Sequence, residues 1–171
     1  MNPILTTTVD SPIGPLTLTA ADGLLTGVYM HEQRHAPTAS TEWIRDDAWF
    51  TPATGQLEAY FAGDLMTFDL PMRLNGTEFQ RQVWTGLQAI PYGETISYGE
   101  LARRVGNPGA SRAVGLANGR NPTAIVVPCH RVIGSNGQLA GYGGGIDRKV
   151  WLLEHEGAIG TTQARASSVD T

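Results

Sequence analysis

Apolar and polar positions alternate over the first thirty residues. Leu16-Thr-Leu-Thr19 reads apolar, polar, apolar, polar, and Ile4–Val9 and Leu24–Met30 are runs rich in aliphatic and β-branched side chains. That is the pattern of strands with one buried face. Ser11-Pro-Ile-Gly14 and Asp22-Gly23 supply turns between them. The pattern predicts a small antiparallel meander. Residues 31–46 are polar and aperiodic and read as a loop. From Trp49 to Phe61 the period lengthens. Leu57, Tyr60 and Phe61 share one side, and Gly63 is a stop, so a helix is expected. Phe68–Met72 reads as a further strand, and Asn75-Gly76 as a turn and domain boundary.

The second half carries helical spacing. Thr77-Glu-Phe-Gln80 fits a capping box, and Phe79, Val83, Leu87 and Ile90 follow on one face until Pro91-Tyr-Gly93. Ser97-Tyr-Gly-Glu100 is a second capping box, opening a short helix through Val105. Asn107-Pro-Gly109 is a turn, and Ala110–Asn118 a further short helix. Two short helices across a tight turn predict a helix-turn-helix. Ala124–Val127 is an apolar, strand-like run ending at Pro128. Gly134–Gly145 is a glycine-rich loop, and Asp147–His155 a closing amphipathic helix. The expected division is 1–75, 76–157, and a small, polar, disordered tail at 158–171.

Composition narrows the class. The chain has 171 residues, 41% of them hydrophobic and 16% charged, which supports a packed core and argues against intrinsic disorder. No run approaches the ~20 apolar residues of a membrane helix, and residues 1–10 carry no secretory pattern. One cysteine precludes an intramolecular disulfide and a multi-cysteine zinc site. An intracellular, cytoplasmic location is expected. Residues 1–75 hold three basic and nine acidic side chains (−6), and residues 76–157 hold eight and six (+2). The second half is therefore the one suited to a polyanion. Sixteen of the 21 glycines lie between Gly76 and Gly160, so the backbone there turns tightly or lies close to something.

The cysteine lies in Pro128-Cys129-His130-Arg131. A lone cysteine is commonly a small buried hydrophobe. Three features point elsewhere. His130 and Arg131 make an electropositive setting that is expected to lower the thiol pKa. Pro128 ends the apolar run, where active groups are often displayed. A glycine-rich loop follows, which lets a planar ligand approach. A thiol nucleophile needs a base, and the base an orienting group. Neighbouring side chains on extended backbone diverge, so His130 is expected to reach Cys129 through a water. Glu154 and Glu156 are the carboxylates available to orient the imidazole.

Asn121-Pro122, Ile125-Val-Val-Pro-Cys129-His-Arg-Val132, Gly141-Tyr-Gly-Gly144 and Trp151-Leu-Leu-Glu-His-Glu-Gly157 closely resemble the O6-alkylguanine-DNA alkyltransferases, the methylated-DNA–protein-cysteine methyltransferases. The match runs from about Thr77 to Gly157, and Ser11-Pro-Ile-Gly14 also resembles the family's N-terminal domain. The resemblance implies an α/β protein: a small RNase H-like sheet with a helix, then a mainly helical domain with a winged helix-turn-helix.

It also implies direct-reversal DNA repair. The Cys129 thiolate takes the alkyl group from guanine O6, and from O4-alkylthymine, irreversibly and once. A methyl carbon calls for a soft nucleophile, and the thioether product has no good leaving group. By the resemblance, the relay is Cys129, water, His130 and Glu156, with Glu154 second choice. Asn121 ties the recognition helix to the active-site turn. Tyr98 presses the target phosphate and donates to the leaving guanine. The carbonyls of Cys129 and Val132 accept from the guanine amino group, and Tyr142 and Gly143 close over the base. Many relatives carry serine at the Gly143 position. The base must be flipped out of the duplex to be reached. Arg112, in a helix that begins Ala110-Ser111, fills the gap from the minor groove, where small side chains permit close approach. Gln80, Gly99, Asn107 and Ser135 fall where relatives touch the DNA backbone.

The expected partner is double-stranded DNA containing O6-alkylguanine, bound by a monomer, with cooperation between copies left open. No membrane partner, cofactor or metal is expected. Relatives that hold zinc use cysteines, whereas this N-terminal region offers only His31 and His35. The alternatives are a lesion-binding protein that transfers nothing and, more distantly, a cysteine hydrolase.

Overall fold

The computed structural model describes residues 3–139 and 142–159. The chain divides into two compact units, Met1–Asn75 with Pro122–Val126, and Gly76–Asn121 with Val127–Thr171. The first is built on three antiparallel strands, β1 (Leu5–Val9), β2 (Leu16–Ala21) and β3 (Leu24–Met30). Leu16, Leu18, Ala20, Leu25, Val28 and Met30 turn into the core, by alternation except that an irregularity in the β2–β3 register at Thr19/Ala20 shifts the phase of β3 between Leu25 and Val28. The loop expected at 31–46 contains a short fourth strand, β4 (Ile44–Arg45), parallel to β1, which gives the order β3-β2-β1-β4. Two residues are too few for periodicity to reveal. Helix α1 (Thr51–Phe61) buries Ala53, Leu57 and Tyr60. The strand expected at Phe68–Met72 reduces to one bridge, Met72 to Leu25. Pro71 sits beside it and has no N–H to give a ladder.

One boundary is corrected. Residues 122–126, expected inside the C-terminal domain, join the first unit. Val28 N–H donates to the Pro122 carbonyl at 2.9 Å, and Ala124 N–H to the Val28 carbonyl at 3.1 Å. The segment thus completes the free edge of β3. The run is also not a strand to its end. Ile125 sits at φ 74°, and Val126 N–H closes a three-residue turn on the Ala124 carbonyl. Positive φ on a β-branched residue is strained. Almost complete burial of the Ile125 side chain holds it there.

The second unit opens with α2 (Glu78–Gln88), whose complete capping box pairs Thr77 and Gln80. Val83, Trp84 and Leu87 form its buried face, and the Trp84 indole N–H donates to the Ala117 carbonyl at 2.8 Å. Helices α3 (Tyr98–Arg104) and α4 (Ser111–Gly119) form the helix-turn-helix. The second capping box is half present. Ser97 Oγ accepts from Glu100 N–H, while the Glu100 carboxylate pairs with Arg103 and Arg104. Strands β5 (Ile96–Ser97) and β6 (Val132–Ile133) pair in parallel. Helix α5 (Ile146–His155) closes the unit. Ala158 and Ile159 pack with Leu139 and Leu153, so the first two residues of the expected tail belong to the core. The remainder of that tail, 160–171, and Gly141 of the glycine-rich loop lie outside the described residues.

Candidate active site

Cys129 sits in a turn. Pro128, at φ −82° and ψ 66°, closes a three-residue turn through Cys129 N–H on the Val127 carbonyl at 2.8 Å. Cys129–Arg131 then form one turn of 3₁₀-helix leading into β6. The extended backbone assumed at this point is therefore corrected. Proline's fixed φ suits the tight turn, and its missing N–H loses no hydrogen bond there.

Two asparagines of the α4 region fasten this turn. Asn121 Nδ2 donates to the Val127 carbonyl at 2.8 Å, and Asn118 Nδ2 to the Cys129 carbonyl at 3.4 Å. Both are buried. The first bond joins the helix end to the turn, as the family resemblance implies for Asn121. Asn118 was not anticipated. Its signal is a polar residue one helical turn after Val114 on the apolar face of α4.

His130 is fully buried, and its Nε2 lies 2.7 Å from Glu156 Oε2. Glu156 is the residue that meets the imidazole. It follows α5 as its C-cap, whereas Glu154 lies within the helix and makes no such bond. Glu156 also accepts two bonds from Arg131, Nε to Oε1 at 2.8 Å and Nη2 to Oε2 at 3.1 Å. Arg131 Nη1 donates to the Ile90 carbonyl at 2.7 Å. The guanidinium is thus bound to a carboxylate and the end of α2, not directed at the thiol. Burial pushes the His130 pKa down, against the pull of Glu156, and the charges of Arg131 and Lys149 push the same way. Burial therefore favours the neutral ring.

The thiol expectation is reversed. Burial pushes the Cys129 pKa up, and that effect outweighs the groups favouring the thiolate. Those groups are the Asn121 amide, the Lys149 ammonium and the Tyr142 hydroxyl. Lys149 was also missed from the sequence. It has no solvent exposure, its Nζ donates to the Val132 carbonyl at 2.6 Å, and its pKa falls to about 8 through burial. Its signal is positional: Lys149, Leu152, Leu153 and Glu156 fall on one helical stripe. Two charges on an otherwise apolar face belong to a site more often than to a core. The Val132 carbonyl keeps a second lone pair for another donor.

Tyr98 opens α3, and its ring lies 3.7 Å from where a Cβ on Gly115 would sit. Glycine at 115 therefore leaves the ring room against α4. Burial, and then the charge of a Cys129 thiolate, raise the Tyr98 pKa, so the hydroxyl keeps its proton. Tyr142 is buried and Gly143 half-buried. Ser111 and Arg112 are exposed at the start of α4, with Ala110 as its N-cap. Gly99, Asn107 and Ser135 are exposed on other elements. The Gln80 side chain is held in the α2 capping box by Thr77 N–H at 2.9 Å, so a contact elsewhere would have to come from another of its atoms.

This constellation meets its family in the comparisons. Residues 78–158 match the DNA-binding domain, and residues 4–74 the ribonuclease-like domain, of 6-O-methylguanine DNA methyltransferase. The chain belongs to this family. A methylated-DNA–protein-cysteine methyltransferase of Mycobacterium bovis is 59% identical over 149 residues, covering 87% of this chain and 90% of that protein. One from Methanosarcina acetivorans is 52% identical, over 87% and 96% of the two chains. Among family members of known structure, the crystal structure of Mycobacterium tuberculosis OGT in complex with DNA is similar at a TM-score of 0.84 and 55% identity. That match covers 94% of this chain and 99% of the other. Both domains of the family are thus present, in the family's order.

Proposed function

We propose that the protein repairs DNA by moving the alkyl group of O6-alkylguanine onto Cys129, once per molecule. The observation that carries this reading is the buried Cys129 turn backed by the His130–Glu156 pair, in a chain of this family. His130 Nδ1, acting through one water, takes the Sγ proton. Glu156 orients the ring and favours the imidazolium that forms, while Lys149 favours the thiolate. The sulfur attacks the alkyl carbon, the S–C bond forms and the C–O6 bond breaks. The electron pair stays with the guanine, and the proton lost from the thiol is restored on its ring nitrogen. Tyr98, held neutral, donates to the departing base. The Cys129 and Val132 carbonyls accept from its amino group, and Tyr142 and Gly143 cover it.

O6 is hidden within the stack, so the base leaves the duplex first. Arg112, exposed on α4, takes its place from the minor groove, and Ala110 and Ser111 let the helix come close. Gly99, Asn107, Ser135 and the Gln80 side-chain Nε2 meet phosphates. The acting species is a monomer in the cytoplasm, bound to the nucleoid when engaged. O4-alkylthymine is a second substrate of the same geometry.

Intact and peptide mass spectrometry tests this, after mixing the protein with a duplex holding one O6-methylguanine. One methyl per protein, on Cys129, is expected. Binding without an adduct would instead make it a lesion-marking protein.

A further inference from the structure

The exposed face of α4 carries one feature that the reaction does not use. Leu116 is 71% exposed, and it is the one large hydrophobic side chain left open in the second unit among the described residues. A single exposed leucine is ordinary on a protein surface. Its neighbours distinguish this one. Arg112, Leu116 and Arg120 follow at intervals of four, a cation, an aliphatic group and a cation along one exposed stripe. On a helix of this rise the two arginines are about 12 Å apart. Beside the stripe lie Ala113, Gly115 and Gly119, and nothing stands within 4 Å of where a Gly119 side chain would begin. The inner face holds Val114, Ala117 and Asn118. The helix therefore presents one bulky apolar group on a surface otherwise cut back to small residues.

We propose that Leu116 is a DNA-binding residue, an apolar wedge that α4 sets against the sugar walls of the minor groove while Arg112 and Arg120 flank it. This rests on the reading of the protein as a duplex-DNA alkyltransferase. The minor groove is narrow, with apolar sugar edges as walls and phosphates at the rims. The aliphatic Leu116 complements the sugar walls while Arg112 reaches the vacated stack and Arg120 the rim, and small neighbours let the backbone approach. Apolar side chains pressed into minor grooves widen or unstack the steps they touch, and widening beside a target guanine assists its exit. Leucine offers no hydrogen bond to a base, so the contact is independent of sequence. Because it neutralises no phosphate, it releases no counterion.

The test compares wild type with Leu116→Ala and Leu116→Gln in two assays. One measures affinity for a lesion duplex across a salt series, and the other the transfer rate from free O6-alkylguanine base. Both variants should lose duplex affinity about tenfold, as expected for removing a large apolar contact at an interface. The slope of log affinity against log salt should stay parallel to wild type, and the loss with free base should be much smaller. Unchanged duplex affinity, an altered salt slope, or equal loss in both assays would overturn the wedge. So would a wild-type dimer that Leu116→Gln dissolves in sedimentation, because the leucine would then face a second copy. Failure of the wild type to alkylate Cys129 from either substrate would overturn the underlying reading as well.

Discussion

His130 Nε2 and Glu156 Oε2 lie 2.7 Å apart, and neither side chain reaches solvent. The carboxylate also receives Arg131, so a single anion serves an imidazole and a guanidinium. Glu156→Gln keeps the shape and removes the charge. Transfer to Cys129 should slow by about 10²-fold, the scale of general-base assistance, and the limb of the pH–rate profile that reports thiolate formation should move to higher pH. Arg131 would be left a buried cation without a counter-charge, so stability should fall by about 3–5 kcal/mol. Quenched-flow transfer and urea denaturation measure the two effects separately. Glu154→Gln should change neither appreciably.

Lys149 is the cation that acts on the thiol, and its own pKa of about 8 limits the range in which it can do so. Lys149→Met should slow transfer about tenfold near neutrality, because the thiolate loses the nearby cation that favours it. Reaction of the variant with iodoacetamide as a function of pH should show the thiolate appearing at higher pH. In the wild type, assistance fades as pH rises beyond about 8, where the ammonium loses its proton.

Acid should weaken the fold through His130. Its pKa is held below the ordinary value by burial first, then by Arg131 and Lys149, against Glu156. The unfolded chain therefore takes up a proton that the folded chain refuses. Stability from this group is complete above the ordinary histidine range, and is lost as pH falls below about 6.5, by up to about 1.4 kcal/mol per pH unit. Urea midpoints at pH 7.5 and 5.5 should show the decline, and His130→Gln should flatten it.

Much of this architecture was legible in the chain. Alternation located β1 to β3, because each buries one face, and the Thr77–Gln80 box located the start of α2. Cys129 and His130 stood out through their neighbours, and the resemblance chose Glu156 over Glu154. What sequence reading missed was nonlocal. Arg131 looked like a partner of the thiol because it is adjacent in the chain, yet Glu156, 25 residues on, holds it. Adjacency also suggested a low thiol pKa, whereas burial, which depends on every packed neighbour, raises it. Residues 122–126 were expected within the C-terminal domain because nothing local names Val28 as the partner.

Arg112 should matter to duplexes rather than to chemistry. Arg112→Ala is expected to slow repair of O6-methylguanine in a duplex far more than reaction with the free base. Parallel rate measurements on the two substrates check this. Equal losses on both substrates would remove Arg112 from base extrusion.

The division of the chain has a consequence for engineering by exchange of parts. The backbone passes between the two units after Asn75, after Asn121 and after Val126. A graft joined only at 75/76 would carry residues 122–126 away from the Val28 edge they pair with, and would leave Ile125 in its strained turn without the burial that holds it. Cys129 lies three positions beyond the last crossing. Relatives of this chain should therefore yield working hybrids only when the 122–126 segment travels with the sheet it completes, so that the units are inherited as a matched pair.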